Sequence, residues 1–83
     1  MIEVALAAEA WQDVEPNTEA LLDEWLVKPG DRVAAGQALA KVVLIKATLE
    51  VNAPVAGTVE RLLVAEEETF RQGQPLVQLQ EDR

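Results

Sequence analysis

The chain has 83 residues, enough for one small domain, with 49% of them hydrophobic and 27% charged. Fifteen acids against seven bases give a formal net charge of −8, too apolar a mixture for a disordered acidic tail and the wrong sign for a general nucleic-acid binder. With neither Cys nor His, disulfides, thiolate metal sites, cysteine nucleophiles, the commonest general base and the commonest metal ligand are all excluded.

The N-terminus has no basic segment ahead of an apolar one, and the chain has no apolar run near twenty residues. Neither secretion nor a membrane span is therefore expected, and the cytoplasm is the expected compartment. Residues 1–24 carry seven acids and no base, 25–53 carry four bases and two acids, and 54–83 return to acid excess with Glu66, Glu67 and Glu68 in a row. That row reads as a solvated turn. Trp11 lies near Glu9 and Asp13, and Trp25 follows Glu24, so packing rather than base stacking is expected of both.

In chain order, Thr18–Val27 has good helix formers, with Leu21, Leu22, Trp25 and Leu26 spaced for one face, so helix and strand compete there on local propensity. Turn residues follow at Pro29-Gly30-Asp31 and Gly36-Gln37. Ala38–Leu44 reads as a strand. In Ala47–Ala53, Leu49, Val51 and Ala53 alternate with Thr48, Glu50 and Asn52, the period of a half-buried strand. Pro54 and Gly57 interrupt the chain before a strand over Gly57–Val64, and Gly73-Gln74-Pro75 interrupts it again. Short strands punctuated this often indicate a small β-sandwich or barrel.

An internal repeat decides the contested segment. A shift of 37 positions lays residues 21–42 on 58–79, bringing Leu26-Val27 onto Leu63-Val64 and Gly36-Gln37-Ala38-Leu39 onto Gly73-Gln74-Pro75-Leu76. The second copy opens Gly57-Thr58-Val59 and reads as strand, so Leu21–Val27 is predicted to be strand as well. Neither half can close a core alone, so the two must bury their apolar faces together. The prediction is a single all-β domain over 1–83, a flattened sandwich of two quasi-two-fold-related halves. Its expected core is Leu26, Val33, Leu39, Leu49, Val51, Val59, Leu63, Phe70 and Leu76.

The junction between the halves, Val42–Leu49, leaves almost no room for a loop, so the chain must turn tightly at Ile45-Lys46. Neither is a customary hairpin residue. The same shift pairs Lys46 with Glu9. Lys46 is then either an ordinary solvated lysine, a gatekeeper against edge pairing of Val42–Ile45, or a presented amine. Of the other lysines, Lys28 precedes a Pro-Gly turn and Lys41 lies on the polar side of a strand.

Two stretches carry a resemblance. Glu24-Trp25-Leu26-Val27-Lys28-Pro29-Gly30-Asp31-Arg32-Val33-Ala34-Ala35-Gly36-Gln37-Ala38-Leu39 resembles the first half of a lipoyl domain of the biotinyl/lipoyl attachment family. Lys46-Ala47-Thr48-Leu49-Glu50-Val51-Asn52-Ala53-Pro54-Val55-Ala56-Gly57-Thr58-Val59 resembles the stretch from that family's modified lysine onward, and Gly73-Gln74-Pro75-Leu76 closes the pattern. The resemblance implies a flattened eight-stranded sandwich (a barrel-sandwich hybrid of two four-stranded halves). It also implies lipoate in amide linkage at Lys46, with Val43, Leu44, Ile45 and Ala47 as the hairpin a lipoate ligase or lipoyltransferase would read. The flanks depart from the family. Ile45 and Val43 stand where lipoyl members usually carry Asp and Glu, Ala20 and Glu67 stand where Gly is usual, and the Met residues that flank a biotinyl-lysine are absent. Glu67, in the copy of Gly30, suggests a different turn there, since a positive φ tolerates Glu poorly.

Three functions follow. The first is a non-catalytic carrier presenting a swinging lipoyl-lysine arm to enzymes of a 2-oxo acid dehydrogenase-like or related multienzyme system, as part of an acyltransferase component. The redox and acyl chemistry would then belong to the cofactor. The second is an unmodified lipoyl-like domain acting as a structural or interaction module, supported by apolar Val43-Leu44-Ile45 at a tip. The third is a biotin carrier. No nucleic-acid or membrane partner is expected of any of them.

Overall fold

The computed structural model describes residues 2–12, 14, 15 and 17–82. Its strands are β1 (Ile2–Val4), β2 (Glu19–Trp25), β3 (Arg32–Val33), β4 (Ala38–Leu44), β5 (Ala47–Asn52), β6 (Gly57–Leu62), β7 (Thr69–Arg71) and β8 (Val77–Glu81), with a 3₁₀ helix at Ala8–Trp11. All pairings are antiparallel, in two sheets ordered β1-β8-β6-β3 and β5-β4-β2-β7. The short strands β3 and β7 each join the sheet of the opposite repeat, which stitches the halves together. The predicted flattened sandwich is present, measuring 38 × 22 × 17 Å, and Leu21–Val27 contributes strand rather than helix.

The repeat is written in the backbone hydrogen bonds. Gly30 N–H donates to the Val59 carbonyl at 2.7 Å, and its counterpart Glu67 N–H donates to the Leu22 carbonyl at 2.7 Å. Leu26 N–H donates to Leu39 at 2.9 Å, and Leu63 N–H to Leu76 at 2.8 Å. Side chains repeat too. Asp31 accepts from Lys28 N–H at 3.0 Å and Glu68 from Ala65 N–H at 2.9 Å, while Gln37 and Gln74 accept from Ala34 and Arg71 N–H at 3.0 and 3.1 Å. The Glu66–Glu68 row is exposed, as expected, but it also holds structure. The Glu66 carboxylate accepts the Trp25 backbone N–H at 2.9 Å.

One hydrophobic cluster joins both sheets, with Leu22, Leu39, Val42, Leu76, Val77 and Leu79 fully buried. Burying a side chain of this kind is worth about 1.5–3 kcal/mol. Val33, Leu39, Val51, Val59, Phe70 and Leu76 of the expected core are buried, and Leu49 is partly so. Leu26 and Leu63 are corrections, being 42% and 36% exposed, while Val27 and Val64 beside them are buried. The cause is a β-bulge at the same place in each copy, between Leu22 and Glu24 in β2 and between Val59 and Arg61 in β6. An extra residue reverses the in–out alternation beyond it. Projecting period two through Asp23-Glu24 and Glu60-Arg61 therefore turns the wrong residue inward.

Two further expectations change. The turn at Glu67 is the turn at Gly30, with Glu67 held at φ 69° where Gly30 has 95°. The paired hydrogen bonds to Leu22 and Val59 hold both copies in that conformation. Glu9 is not the counterpart of Lys46 either, since it lies in the 3₁₀ helix. The strand equivalent to β5 is β1: Leu49 lies opposite Val42 and Ile2 opposite Leu79, while Val51 lies opposite Ala40 and Val4 opposite Val77.

Candidate functional site

From Ala40 opposite Val51 the β4–β5 ladder runs in register up to Leu44 opposite Ala47, leaving Ile45 and Lys46 alone as a two-residue turn. Ile45 has φ 60° and Lys46 has no positive φ. A positive φ at the first central residue alone is the type II′ pattern, whose twist suits a hairpin and whose first position favours Gly. A β-branched residue there is a genuine outlier, and strain of this kind collects at functional sites.

The turn carries Lys46 outward as an exposed side chain, and no ion pair among the described residues involves it. The other lysines are placed differently. Lys41 is half-buried within β4, flanked in register by Glu24 on one side and Glu50 on the other, so it lies within the sheet rather than at a tip. Lys28 lies in the turn fixed by its N–H bond to Asp31.

Of the predicted hairpin residues, Ile45 and Ala47 are exposed, Val43 is half-buried in register with Leu21 and Thr48, and Leu44 is buried. The residues that sequence reading did not reach are Ala10 and Val14. Together with Leu44, Ile45, Ala47 and Leu49 they line a shallow apolar groove that includes Lys46. Ala10 and Val14 flank Trp11, whose buried indole meets the Phe70 ring edge-on at 6.1 Å and 82°, an arrangement favourable for aromatic pairs. This packing pins the N-terminal segment to the sandwich beside the hairpin. Nothing in the alternation or spacing of residues 5–18 signals that proximity.

The site thus offers one exposed amine, in no ion pair among the described residues, on a two-residue hairpin beside an apolar surface. It suits amide attachment of a mainly hydrocarbon cofactor, because acylation removes the only charge among the described residues of the groove lining.

A family model described as "Biotin-requiring enzyme", covering biotinyl and lipoyl attachment domains, matches residues 15–79. The chain therefore belongs to the biotinyl/lipoyl attachment family. It is 36% identical over 64 residues to the dihydrolipoyllysine-residue acetyltransferase component of the pyruvate dehydrogenase complex of Pseudomonas aeruginosa, covering 77% of this chain and 12% of the relative. It is 34% identical over 67 residues to the dihydrolipoyllysine-residue succinyltransferase component of the 2-oxoglutarate dehydrogenase complex of Rickettsia conorii, covering 81% and 17%. A match of 43% over 47 residues to the pyruvate dehydrogenase E1 component subunit beta of Rhizobium meliloti covers 57% and 10%. The matches thus span between about a tenth and a sixth of each of these relatives. Among solved structures, the lipoyl domain of the 2-oxoglutarate dehydrogenase complex of Azotobacter vinelandii superposes with a TM-score of 0.75 at 22% identity, covering 96% of this chain and 98% of that one. The fold is that of a lipoyl domain.

Proposed function

We propose that this domain is a lipoyl-type carrier in which Lys46 holds lipoate in amide linkage and presents it to enzymes of a 2-oxo acid dehydrogenase-like or related multienzyme system. The observation that carries this reading is the position of Lys46 at the tip of the one two-residue hairpin that joins the halves. When bound, the group supplies the redox and acyl-carrying chemistry. The chain's own contribution is to hold the amine at the tip of a two-residue hairpin and to give partners a surface to recognise. On this reading the domain is non-catalytic by itself, is modified by a lipoate ligase or lipoyltransferase, and works in the cytoplasm. Val43, Leu44, Ile45 and Ala47 form the recognition hairpin.

A second reading has its own support. Ile45 is 62% exposed, and an apolar tip suits an unmodified interaction module. Intact mass of the protein isolated from its own cells, with peptide mapping of the adduct, separates the readings. A lipoyl adduct on Lys46 supports the carrier, a biotinyl adduct moves the assignment to the biotin branch of the family, and an unmodified chain favours the interaction module.

A further inference from the structure

Resting on the carrier reading, we infer that the lipoyl arm does not project freely. It folds back into the groove walled by Ala10, Val14, Leu44, Ile45, Ala47 and Leu49, and is parked there between partner encounters. Lys46 is itself part of the lining, so an acyl chain attached to it is tethered at the groove's edge. Docking of a tethered group is intramolecular, at an effective concentration that a free ligand does not reach.

Charge complementarity identifies the occupant. In a chain of formal charge −8, the described residues that line the groove are six apolar ones and Lys46, the one charged member among them. Converting that amine to an amide leaves a neutral lining facing a neutral hydrocarbon chain. The strained Ile45 gains a reason on this view. A glycine would relax its φ of 60° but would remove a wall of the groove. The 3₁₀ segment supplies the other wall and is held by buried Trp11, so the groove exists before the arm is attached.

The test compares unmodified and lipoylated protein. Intact mass first establishes attachment at Lys46. Methyl NMR then compares Ala10, Val14 and Leu49 with the exposed Leu26 and Leu63, which lie outside the groove. The rate at which a water-soluble phosphine reduces the dithiolane is followed in the lipoylated protein and in lipoylated Val14→Ser. Parking predicts that the groove methyls shift while those of Leu26 and Leu63 do not. It also predicts reduction about fivefold slower in the unsubstituted protein than in Val14→Ser, since a reductant that reaches only the free arm is slowed by the fraction seated. A lipoylated protein with unmoved groove methyls, or with equal reduction rates, overturns the parked arm and leaves the carrier reading standing. Lys46 found unmodified both in protein from its own cells and after treatment with a lipoate ligase overturns both. The methyl comparison needs no substitution, so it remains decisive if Val14→Ser disturbs folding.

Discussion

The β4–β5 and β8–β1 ladders occupy equivalent places in the two sheets and share a register, yet they differ at one end. In the first the chain crosses between strands through Ile45-Lys46, whereas in the second no turn joins β8 to β1. Everything that recurs in both halves, including the bulges, the Gln37 and Gln74 turns and the paired hydrogen bonds of Gly30 and Glu67, serves the fold. What occurs once, an exposed amine on a strained turn beside an apolar groove, serves no evident purpose in stability. In a pseudo-symmetric domain the break in symmetry is where a function apart from folding shows itself.

The sharpest test of that contrast is Lys46→Arg. Arginine keeps the charge and the exposure but cannot be acylated in the same way, so labelling by a ligase should fall to background. Stability, read by thermal unfolding, should stay within about 0.5 kcal/mol, as for other surface substitutions. Labelling that persists, or that moves to Lys28 or Lys41, would break the division between the singular hairpin and the repeated scaffold.

The next largest effect belongs to the scaffold. Leu22→Ala removes a fully buried side chain and should cost about 2–5 kcal/mol, a large share of the stability of so small a domain. Leu63→Ala should cost about 0.5 kcal/mol or less, because the bulge turns Leu63 outward. Chemical denaturation of both variants checks the pair. Equal costs would contradict the reversal of alternation at the bulges.

The limits of the sequence reading follow the same physics. Alternation, turn residues and the repeat were legible, and they sufficed for the strands, for the sandwich and for the hairpin at Lys46. Two adjacent charged residues, Asp23-Glu24 and Glu60-Arg61, were the visible trace of each bulge. Alternation carried straight through them from Leu22 and Val59 would put Leu26 and Leu63 inside. The left-handed turn at Glu67 was obscured because residue type argued against it, while its conformation is imposed by hydrogen bonds from the other repeat. Ala10 and Val14 had no local signal. Their place beside Lys46 depends on Trp11 packing against Phe70, which lies 59 positions away.

A smaller effect is expected where the copies share a turn but differ in residue. Glu67→Gly would give the second turn the residue of the first, relieving a left-handed conformation that costs an ordinary residue about 1–2 kcal/mol. Glycine's added flexibility in the unfolded chain offsets part of that gain, so a net stabilisation of about 0.5–1 kcal/mol is expected. The reverse change, Gly30→Glu, should destabilise by about 1–2 kcal/mol, since a Cβ there meets open space and only the backbone opposes it. Thermal midpoints moving in opposite directions would establish that the two turns are equivalent.

A small effect on folding, and the outcome most discriminating for function, is expected of the double substitution Val43→Glu with Ile45→Asp. Asp accepts a positive φ far better than a β-branched residue, and this relief should offset the loss of half-buried Val43 packing, leaving stability within about 1 kcal/mol of the parent. The functional outcomes diverge. On the carrier reading, a general lipoate ligase should modify the double variant faster, because two carboxylates replace apolar groups where lipoyl members usually carry Glu and Asp. A ligase dedicated to this chain and reading Ile45 directly would modify it more slowly, and rates measured with the general and the host enzyme separate those cases. On the interaction reading, the parent chain stays unmodified in its host and a partner bound to its apolar tip is lost from the acidic variant. The parked arm adds one more consequence. A carboxylate at position 45 charges the groove wall, so once loaded the double variant should lose its protection and be reduced at nearly the rate of Val14→Ser.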